Sequence, residues 1–227
     1  MISQPRTLLR LHVEAVWSVK LPPILQNDVE LLRESFQPSW KLCAAELTDG
    51  RVDIWRPDVG TMEQETLHVI ANEALALPST VAAAPGISRE IALHQVASPT
   101  IDVATARTIA HPLTPHDQAL LETFESGSSD YYLHPDRRPL IGVVVEGHLL
   151  CVAHSSRRTS EAYELGIDTL PAARRKGYAL AATVLWADAV TQEGLVPLYS
   201  ALIENEASLR LAAAAGYRAF AQIATIE

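Results

Sequence analysis

The chain has 227 residues, of which 48% are hydrophobic and 20% are charged. This composition is typical of a globular protein and argues against wholesale disorder. Lys and Arg together number 18 against 27 Asp and Glu, so the formal net charge is −9. Nucleic acids and anionic membranes attract proteins with a positive field. The acidic balance therefore argues against both as general partners of this chain.

Three further features of the sequence narrow the class of protein. Cys43 and Cys151 are the only cysteines, so we expect reduced thiols rather than a disulfide framework. The eight histidines form no compact metal-ligand motif, and we expect no metal. No apolar run approaches the ~20 residues of a membrane helix, and residues 1–6 lack the pattern of a signal peptide. We therefore expect a cytoplasmic protein that does not bind membranes.

The first half of the chain is predicted to be an N-terminal α/β domain, residues 1–98, of unknown role. Its hairpin prediction depends on the turn residues Asp49 and Gly50 between two strand-like runs. No motif in this half points to a particular chemistry. The predicted elements are helices over residues 7–17, 27–36, 63–76 and 87–96 and strands over residues 42–47 and 51–55.

The second half, residues 99–227, alternates strands with longer helices, which predicts a mixed α/β sheet. Thr114 and Pro115 form a helix start, and residues 125–136 form a loop in which Tyr131 and Tyr132 could grip a substrate or simply pack. The predicted strands cover residues 104–109, 140–145, 148–154, 162–169, 196–203 and 217–226, and the predicted helices cover residues 115–124, 178–193 and 206–215.

A basic loop between a strand and a helix carries the clearest chemical signal. Arg174, Arg175 and Lys176 follow a strand that stops at Pro171, and Gly177 then opens an Ala-rich helix. A helix N-terminus exposes unpaired N–H groups, and glycine allows an anion to approach the backbone, so the loop suits a pyrophosphate. The Walker A order fails because the lysine precedes the glycine, and no G-x-G-x-x-G is present in this loop.

The loop and the segment after it resemble the GNAT superfamily of acyl-CoA N-acyltransferases over roughly residues 100–227. The superfamily signature [RQ]-x-x-G-x-[GA] is present from Arg174 to Ala179, with Pro171 in register. The second feature, N-x-x-S-x-x-L before a helix that ends in G-[FY], is present from Asn205 to Tyr217. The resemblance implies a mixed, mostly antiparallel sheet with flanking helices, acetyl-CoA as co-substrate and no metal.

The resemblance also implies which residues hold coenzyme A. Backbone amides of the basic loop would bind the pyrophosphate, and the backbone of the preceding strand would pair with the pantetheine arm. The implied cofactor-binding residues are Ile167, Thr169, Arg174, Arg175, Lys176, Gly177, Tyr178, Ala179, Asn205 and Ser208. Asn205 and Ser208 are equally compatible with a plain helix N-cap and its first turn.

The sequence departs from the superfamily pattern at two places. The position that often carries a tyrosine near the thioester sulfur, as a general acid, is Ala212. The chain after Tyr217 has room for one closing strand where the superfamily usually has two. The missing edge strand would come from the N-terminal half or from a partner subunit, so a homodimer is one expectation.

The candidate catalytic residues follow from the energetics of amine acetylation. Deprotonating an alkyl ammonium of pKa ~10.4 at pH 7 costs ~5 kcal/mol, whereas releasing a thiolate of pKa ~8.5 costs only ~2 kcal/mol. A general base therefore matters more than an acid. Glu164 is the first candidate base and Asp168 the second, since both lie with Gly166 on one face of the strand. Tyr199 is the candidate acid in place of the missing tyrosine.

These observations predict an N-acetyltransferase that transfers an acetyl group from acetyl-CoA to a primary amine by direct attack. A catalytically silent acyl-CoA-binding or sensor protein is the alternative, and Ala212 favours it slightly. A structural partner protein with a merely basic loop is the third interpretation. The acceptor, a small molecule or a peptide amine, stays open, although the acidic surface favours a cationic one.

Overall fold

A computed structural model describes residues 4–227, and the chain divides into two compact units. The first unit comprises the described residues up to His94 together with Ser200–Leu209 and Ala219–Glu227. The second unit comprises Gln95–Tyr199 and Arg210–Arg218. The division after His94 lies close to the predicted boundary at residue 98. Two segments from the end of the chain group with the first unit.

The described part of the chain contains seven α-helices and ten strands. The helices are α1 (Pro5–Trp17), α2 (Thr61–Ala76), α3 (Val103–Ile109), α4 (Gln118–Phe124), α5 (Ser129–Leu133), α6 (Tyr178–Gln192) and α7 (Glu206–Ala214). The strands are β1 (Asp28–Glu30), β2 (Leu42–Leu47), β3 (Gly50–Trp55), β4 (Ile87–Gln95), β5 (His111–Pro112), β6 (Ile141–Val145), β7 (His148–Arg158), β8 (Ala162–Thr169), β9 (Val196–Leu202) and β10 (Tyr217–Ile226).

The first unit is built on strands in the order β1-β3-β2-β10-β4. The predicted hairpin is confirmed, because β2 and β3 pair antiparallel around Gly50, whose φ of 123° favours glycine. β10 pairs antiparallel with β2, so a strand from the first half of the chain lies beside the closing strand. The amphipathic helix α2 buries Leu67, Ala71 and Ala74 against apolar residues of β2, β3 and β10.

Three predicted helices or strands have the wrong type, and the predicted loop over residues 125–136 contains helix α5. Residues 27–36, predicted as a helix, contain the short strand β1, which pairs parallel with β3. Residues 87–96, also predicted as a helix, form strand β4. Residues 104–109, predicted as a strand, form helix α3, which the Asp102 side chain caps by accepting from the Thr105 amide.

The second unit is built on strands in the order β9-β8-β7-β6-β5. The three pairs from β5 to β8 are antiparallel, and β8 pairs parallel with β9. Together with the first unit's strands, this confirms the predicted fold class, a mixed, mostly antiparallel sheet with flanking helices. The register of β8 with β9 ends at Glu164 and Leu198, although β8 continues to Thr169. Residues 165–169 therefore lie beyond the paired part of this edge.

Helices cover both faces of the second unit's sheet. The predicted helix after the basic loop is confirmed as α6, and its Trp186 indole donates to Ser155 Oγ of β7 at 3.2 Å. On the other face, Leu121 of α4 and Tyr132 of α5 pack with Val152 of β7. The odd-numbered and even-numbered residues of β7 before its bulge therefore face different layers.

The part of the chain that the structure describes contains no helix long and apolar enough to span a bilayer. Among residues 4–227, no three His, Cys, Asp or Glu side chains are grouped so that they could hold a metal ion. Cys43 and Cys151 are both buried free thiols.

Candidate active site

The basic loop has a conformation that leaves the start of helix α6 open. Gly177 is the N-cap residue with φ 81°, and no side chain caps the helix. Arg175 also has a positive φ of 63°. An added Cβ at Gly177 would meet no atom within 4 Å, so the space above the helix N-terminus is clear. The first-turn amides of Tyr178 and Ala179 therefore point to a region that an anion can reach.

The three cations of this loop are exposed. Arg174, Arg175 and Lys176 take part in no salt bridge or hydrogen bond from their side chains within residues 4–227. Their positive charge adds to that of the helix N-terminus, since no carboxylate neutralises it. The structure therefore brings together three predicted cations and two predicted amides at one anion-binding end of a helix.

The strand before the loop supplies the second part of the predicted cofactor site. Ile167 and Thr169 pair with Ala153 and Cys151 of β7 on one edge of β8. On the other edge the pairing with β9 has ended at Glu164. Both residues are half-buried, so this end of β8 is only partly covered.

Asn205 and Ser208 fall in the first unit, whereas the basic loop falls in the second. Asn205 Oδ1 accepts a hydrogen bond from the Ser208 amide at 3.1 Å. This contact is the helix-capping arrangement that the sequence analysis left open beside a cofactor role.

The two predicted catalytic side chains lie near the phenol of Tyr217 in the second unit. Glu164 and Tyr199 are each only 2% exposed. The rings of Tyr199 and Tyr217 meet edge to face with centroids 5.5 Å apart. Burial raises the pKa of Tyr217 well above its ordinary value, with further contributions from the Glu164 charge and from Tyr199. The structure thus gathers the candidate base and the candidate acid around one buried phenol.

The position where the superfamily often has a tyrosine is fully buried. Ala212 has no exposed surface and lies in helix α7. A methyl side chain carries no acidic proton, so Ala212 cannot act as a general acid.

A polar aromatic cluster lies on the face of the second unit's sheet that α4 and α5 cover, and sequence reasoning identified it only in part. We call it the α5-face cluster and define it as Tyr131, Tyr132, His154 and Asp168. Tyr131 Oη lies 3.2 Å from His154 Nε2, and Tyr132 Oη donates to Asp168 Oδ2 at 3.1 Å. The three rings meet pairwise edge to face at centroid distances of 5.2, 5.6 and 5.2 Å.

His154 is the member of the cluster that the sequence analysis missed. Its side chain crosses the backbone of Gly166, where an added Cβ would lie 2.4 Å from His154 Cε1. The pairing of Gly166 on β8 with His154 on β7 would have identified the histidine. That pairing is visible only once the register of the two strands is known. Burial and the nearby Arg137 charge lower the pKa of His154 to about 4, so the imidazole is neutral at pH 7.

The pKa of Asp168, at the other end of the cluster, is shifted in the opposite direction to that of His154. Packing around its carboxyl group raises the pKa of Asp168 although the side chain reaches solvent. The hydrogen bond from Tyr132 opposes this effect, and the Glu125 charge adds to it. The same surroundings raise the pKa of Tyr132. Its phenol therefore stays protonated and donates a hydrogen bond to Asp168.

Comparison with known proteins agrees with this geometry. Residues 115–223 match a family model described as GNAT acetyltransferase. The resemblance to the GNAT superfamily is confirmed. The matched residues include the basic loop, β8, α6 and the α5-face cluster. A search of curated proteins gave no match.

Solved GNAT structures share the fold at low sequence identity. An acetyltransferase from the GNAT family of Colwellia psychrerythraea is 15% identical, covers 87% of this chain and 77% of its own, and has a TM-score of 0.54. A GCN5-related N-acetyltransferase from Sphaerobacter thermophilus is 14% identical over 82% of this chain and 76% of its own, with a TM-score of 0.49. The first likeness shows the fold, and the GNAT family match with this fold supports acyl transfer in general.

Proposed function

We propose that this chain is an N-acetyltransferase that transfers the acetyl group of acetyl-CoA to a primary amine. The observation that carries the proposal is the open N-terminus of α6. There, an uncapped helix begins at Gly177 beside three exposed and unpaired cations. A pyrophosphate matches this arrangement in charge and in the number of hydrogen bonds it can accept.

The residues around the loop fit coenzyme A as a whole. Amides from Arg175 to Ala179 would hold the pyrophosphate, and the clear space above Gly177 lets it approach the backbone. The part of β8 beyond its pairing with β9, around Ile167 and Thr169, offers backbone groups to the amide-containing pantetheine arm. Acetyl-CoA, when bound, supplies a thioester carbonyl that an amine can attack.

The chain's own residues would move the protons of this reaction. Glu164 would accept the proton of the acceptor ammonium, which leaves a neutral amine to form the new N–C bond. Tyr199 would supply a proton to the departing sulfur as the C–S bond breaks, and the proton that the nitrogen loses as the amide forms would restore the phenol. Backbone N–H groups would polarise the carbonyl. Because removing the ammonium proton costs more than releasing a thiolate, the base contributes more than the acid.

The second candidate function is a catalytically silent acyl-CoA-binding or sensor protein. The specific observation in its favour is the burial of both candidate catalytic groups, Glu164 and Tyr199, at 2% exposure. A base has to come within hydrogen-bond reach of its substrate, so turnover requires that Glu164 become accessible when substrates bind.

The experiment that separates the two functions combines binding with product detection. The protein is incubated with acetyl-CoA and a panel of primary amines, free CoA thiol is followed over time, and acetylated amine is identified by mass. Amine-dependent thiol release with a matching acetylated product supports the enzyme. Acetyl-CoA binding without thiol release across the panel supports the silent protein and contradicts the acetyltransferase.

A further inference from the structure

The α5-face cluster, Tyr131, Tyr132, His154 and Asp168, is more polar than a packing layer requires. Tyr131 is 45% exposed and Asp168 reaches solvent, whereas His154 is only 3% exposed. The cluster therefore has a buried aromatic part, Tyr132 and His154, and an exposed polar rim, Tyr131 and Asp168. That rim is where another molecule can touch it.

The rim carries negative charge that the protein does not neutralise. Tyr132 Oη lies 3.1 Å from Asp168 Oδ2 and 3.4 Å from Glu125 Oε2. Neither carboxylate takes part in a salt bridge within residues 4–227. Arg137 lies at the edge of the cluster, 4.1 Å over the Tyr131 ring, where it donates to the Ser156 carbonyl and forms no salt bridge with either carboxylate. A cation bound at Asp168 would therefore meet charge that is still available.

The buried part of the cluster contains a nitrogen atom whose hydrogen-bonding capacity is not satisfied. His154 Nδ1 is buried and has no hydrogen-bond partner among the described residues. An unpaired polar atom in such surroundings is costly, and proteins tend to keep one where a ligand or a water uses it. Gly166 opens the room that the imidazole occupies, since any side chain there would collide with the ring.

The spacing along β8 relates this rim to the proposed base. Glu164, Gly166 and Asp168 are every second residue of the strand and lie on the same face. The His154 ring lies over Gly166, between the two carboxylates. Four residues of extended strand span about 13 Å at ~3.3 Å per residue. A single ammonium group cannot reach both carboxylates at once.

We propose that Asp168 binds a second positive charge of the acceptor, and that the acceptor is an elongated molecule with two cationic groups about 13 Å apart. The amine at Glu164 is the one that is acetylated, so this inference rests on the proposed function. The His154 ring lies over Gly166, between Glu164 and Asp168 along the strand, and offers an apolar surface to the linker. His154 is a positioning residue, which holds Tyr131 through its neutral imidazole.

The test uses amines of graded length on the full chain. The probes are 1,8-diaminooctane, its monoamine 1-aminooctane and the short 1,3-diaminopropane. They are assayed for thiol release from acetyl-CoA and, separately, for binding by calorimetry without acetyl-CoA. The variants are Asp168→Asn on β8 and the control Asp130→Asn. Asp130 is an exposed carboxylate on α5, the helix that carries Tyr131 and Tyr132, and it lies outside the cluster.

We expect the wild type to bind 1,8-diaminooctane more tightly than either other probe. Asp168→Asn should weaken that binding, and raise the KM for the long diamine, about tenfold or more, a much larger factor than any change in the KM for 1-aminooctane. Asp130→Asn should behave as the wild type. The inference is overturned if Asp168→Asn keeps the same preference for the long diamine, or if the wild type shows no such preference in either assay.

The two proposals fail in different ways. If acetyl-CoA binds but no amine releases thiol, the acetyltransferase proposal fails, and calorimetry still tests the cation site at Asp168. If turnover occurs and Asp168→Asn matches the wild type, only the inference about the acceptor fails. Acetyl-CoA affinity measured on every variant confirms that the substitutions leave the cofactor loop intact.

Discussion

Gly166 and His154 face each other across β8 and β7, and the imidazole lies over the glycine so closely that a Cβ there would be 2.4 Å from His154 Cε1. The same added Cβ would lie 3.0 Å from the Cβ of Ser156. The histidine therefore occupies space that only a glycine leaves free. This contact sets the position of the α5-face cluster on the sheet.

Gly166→Ala is expected to destabilise the protein by about 1–3 kcal/mol, because the new methyl group overlaps the His154 ring. In a double-mutant cycle, His154→Ala should relieve most of that cost, since the space it vacates accepts the methyl group. Gly60→Ala is a control without a steric clash, because nothing lies within 4 Å of the added Cβ; as the N-cap of α2 it should cost about 1 kcal/mol, and His154→Ala should not change that cost. Equal costs of Gly166→Ala with and without His154 would contradict the contact.

The lowered pKa of His154, about 4, makes a prediction about acid sensitivity. Below about pH 6.5 the histidine binds a proton in the unfolded chain but not in the folded protein. The free energy of unfolding therefore decreases as the pH is lowered from about 6.5 to about 4. From neutral pH to pH 5 this group should remove about 2 kcal/mol from the free energy of unfolding. Urea unfolding of His154→Phe should lack that part of the decline, and an identical pH dependence in the two proteins would be inconsistent with a buried neutral imidazole.

Arg174→Gln is expected to weaken acetyl-CoA binding about tenfold, because a charge-assisted contact to phosphate is worth roughly 1.5–3 kcal/mol. Arg157→Gln is the control, since Arg157 is an exposed cation on β7 outside the loop. Calorimetric titration at two salt concentrations checks the effect. Equal losses in the two variants would indicate a diffuse charge effect instead of a site at the loop.

Arg89 makes a prediction about the first unit. It is 3% exposed, and its guanidinium donates to the carbonyls of Ala74, Leu77, Pro78 and Val81 at 3.2, 2.7, 3.1 and 2.5 Å. Arg89→Ala removes the guanidinium from all four carbonyls, of which Pro78 keeps the Val81 amide as a donor, and should cost about 3 kcal/mol or more, with Arg89→Lys intermediate. Arg33→Ala, at an exposed site, should change unfolding little. A small effect of Arg89→Ala would show that water replaces the guanidinium.

The second unit was largely predictable because its signals are local. The turn at Gly147, the proline at Pro171 and the glycine that precedes α6 each fix an element boundary. The basic loop follows from the same kind of reasoning, because a helix start beside cations is visible in sequence.

The three wrong elements show where local signals end. β4 was predicted as a helix, although its backbone is fixed by neighbouring strands and its buried Arg89 by distant carbonyls. β1 exists because it pairs with β3, from residues 20 or more positions away. For α3 a local signal is present in the sequence, since Asp102 is a favourable N-cap residue directly before the helix.

The basic loop, where we propose that coenzyme A binds, could be located from the sequence, whereas the α5-face cluster, where we propose that the acceptor binds, could be located only in part. Tyr131 and Tyr132 belong to a five-residue helix, α5, which is too short to be recognised by periodicity. His154 joins them only through the register of β7 and β8, a pairing between separate segments of the chain. The α5-face cluster is therefore a tertiary feature.

Thermal unfolding with and without saturating acetyl-CoA tests the central claim most directly. It is measured on the wild type, Gly177→Glu and the control Gly194→Glu, which places the same charge at a glycine of similar φ, 77° against 81°, beyond the other end of α6. Ligand at 100 times its Kd should add ~2.7 kcal/mol, a shift of several degrees. We predict that shift in the wild type and in Gly194→Glu and its absence in Gly177→Glu. No shift in the wild type, or an equal shift in Gly177→Glu, would contradict a coenzyme A site at the start of α6.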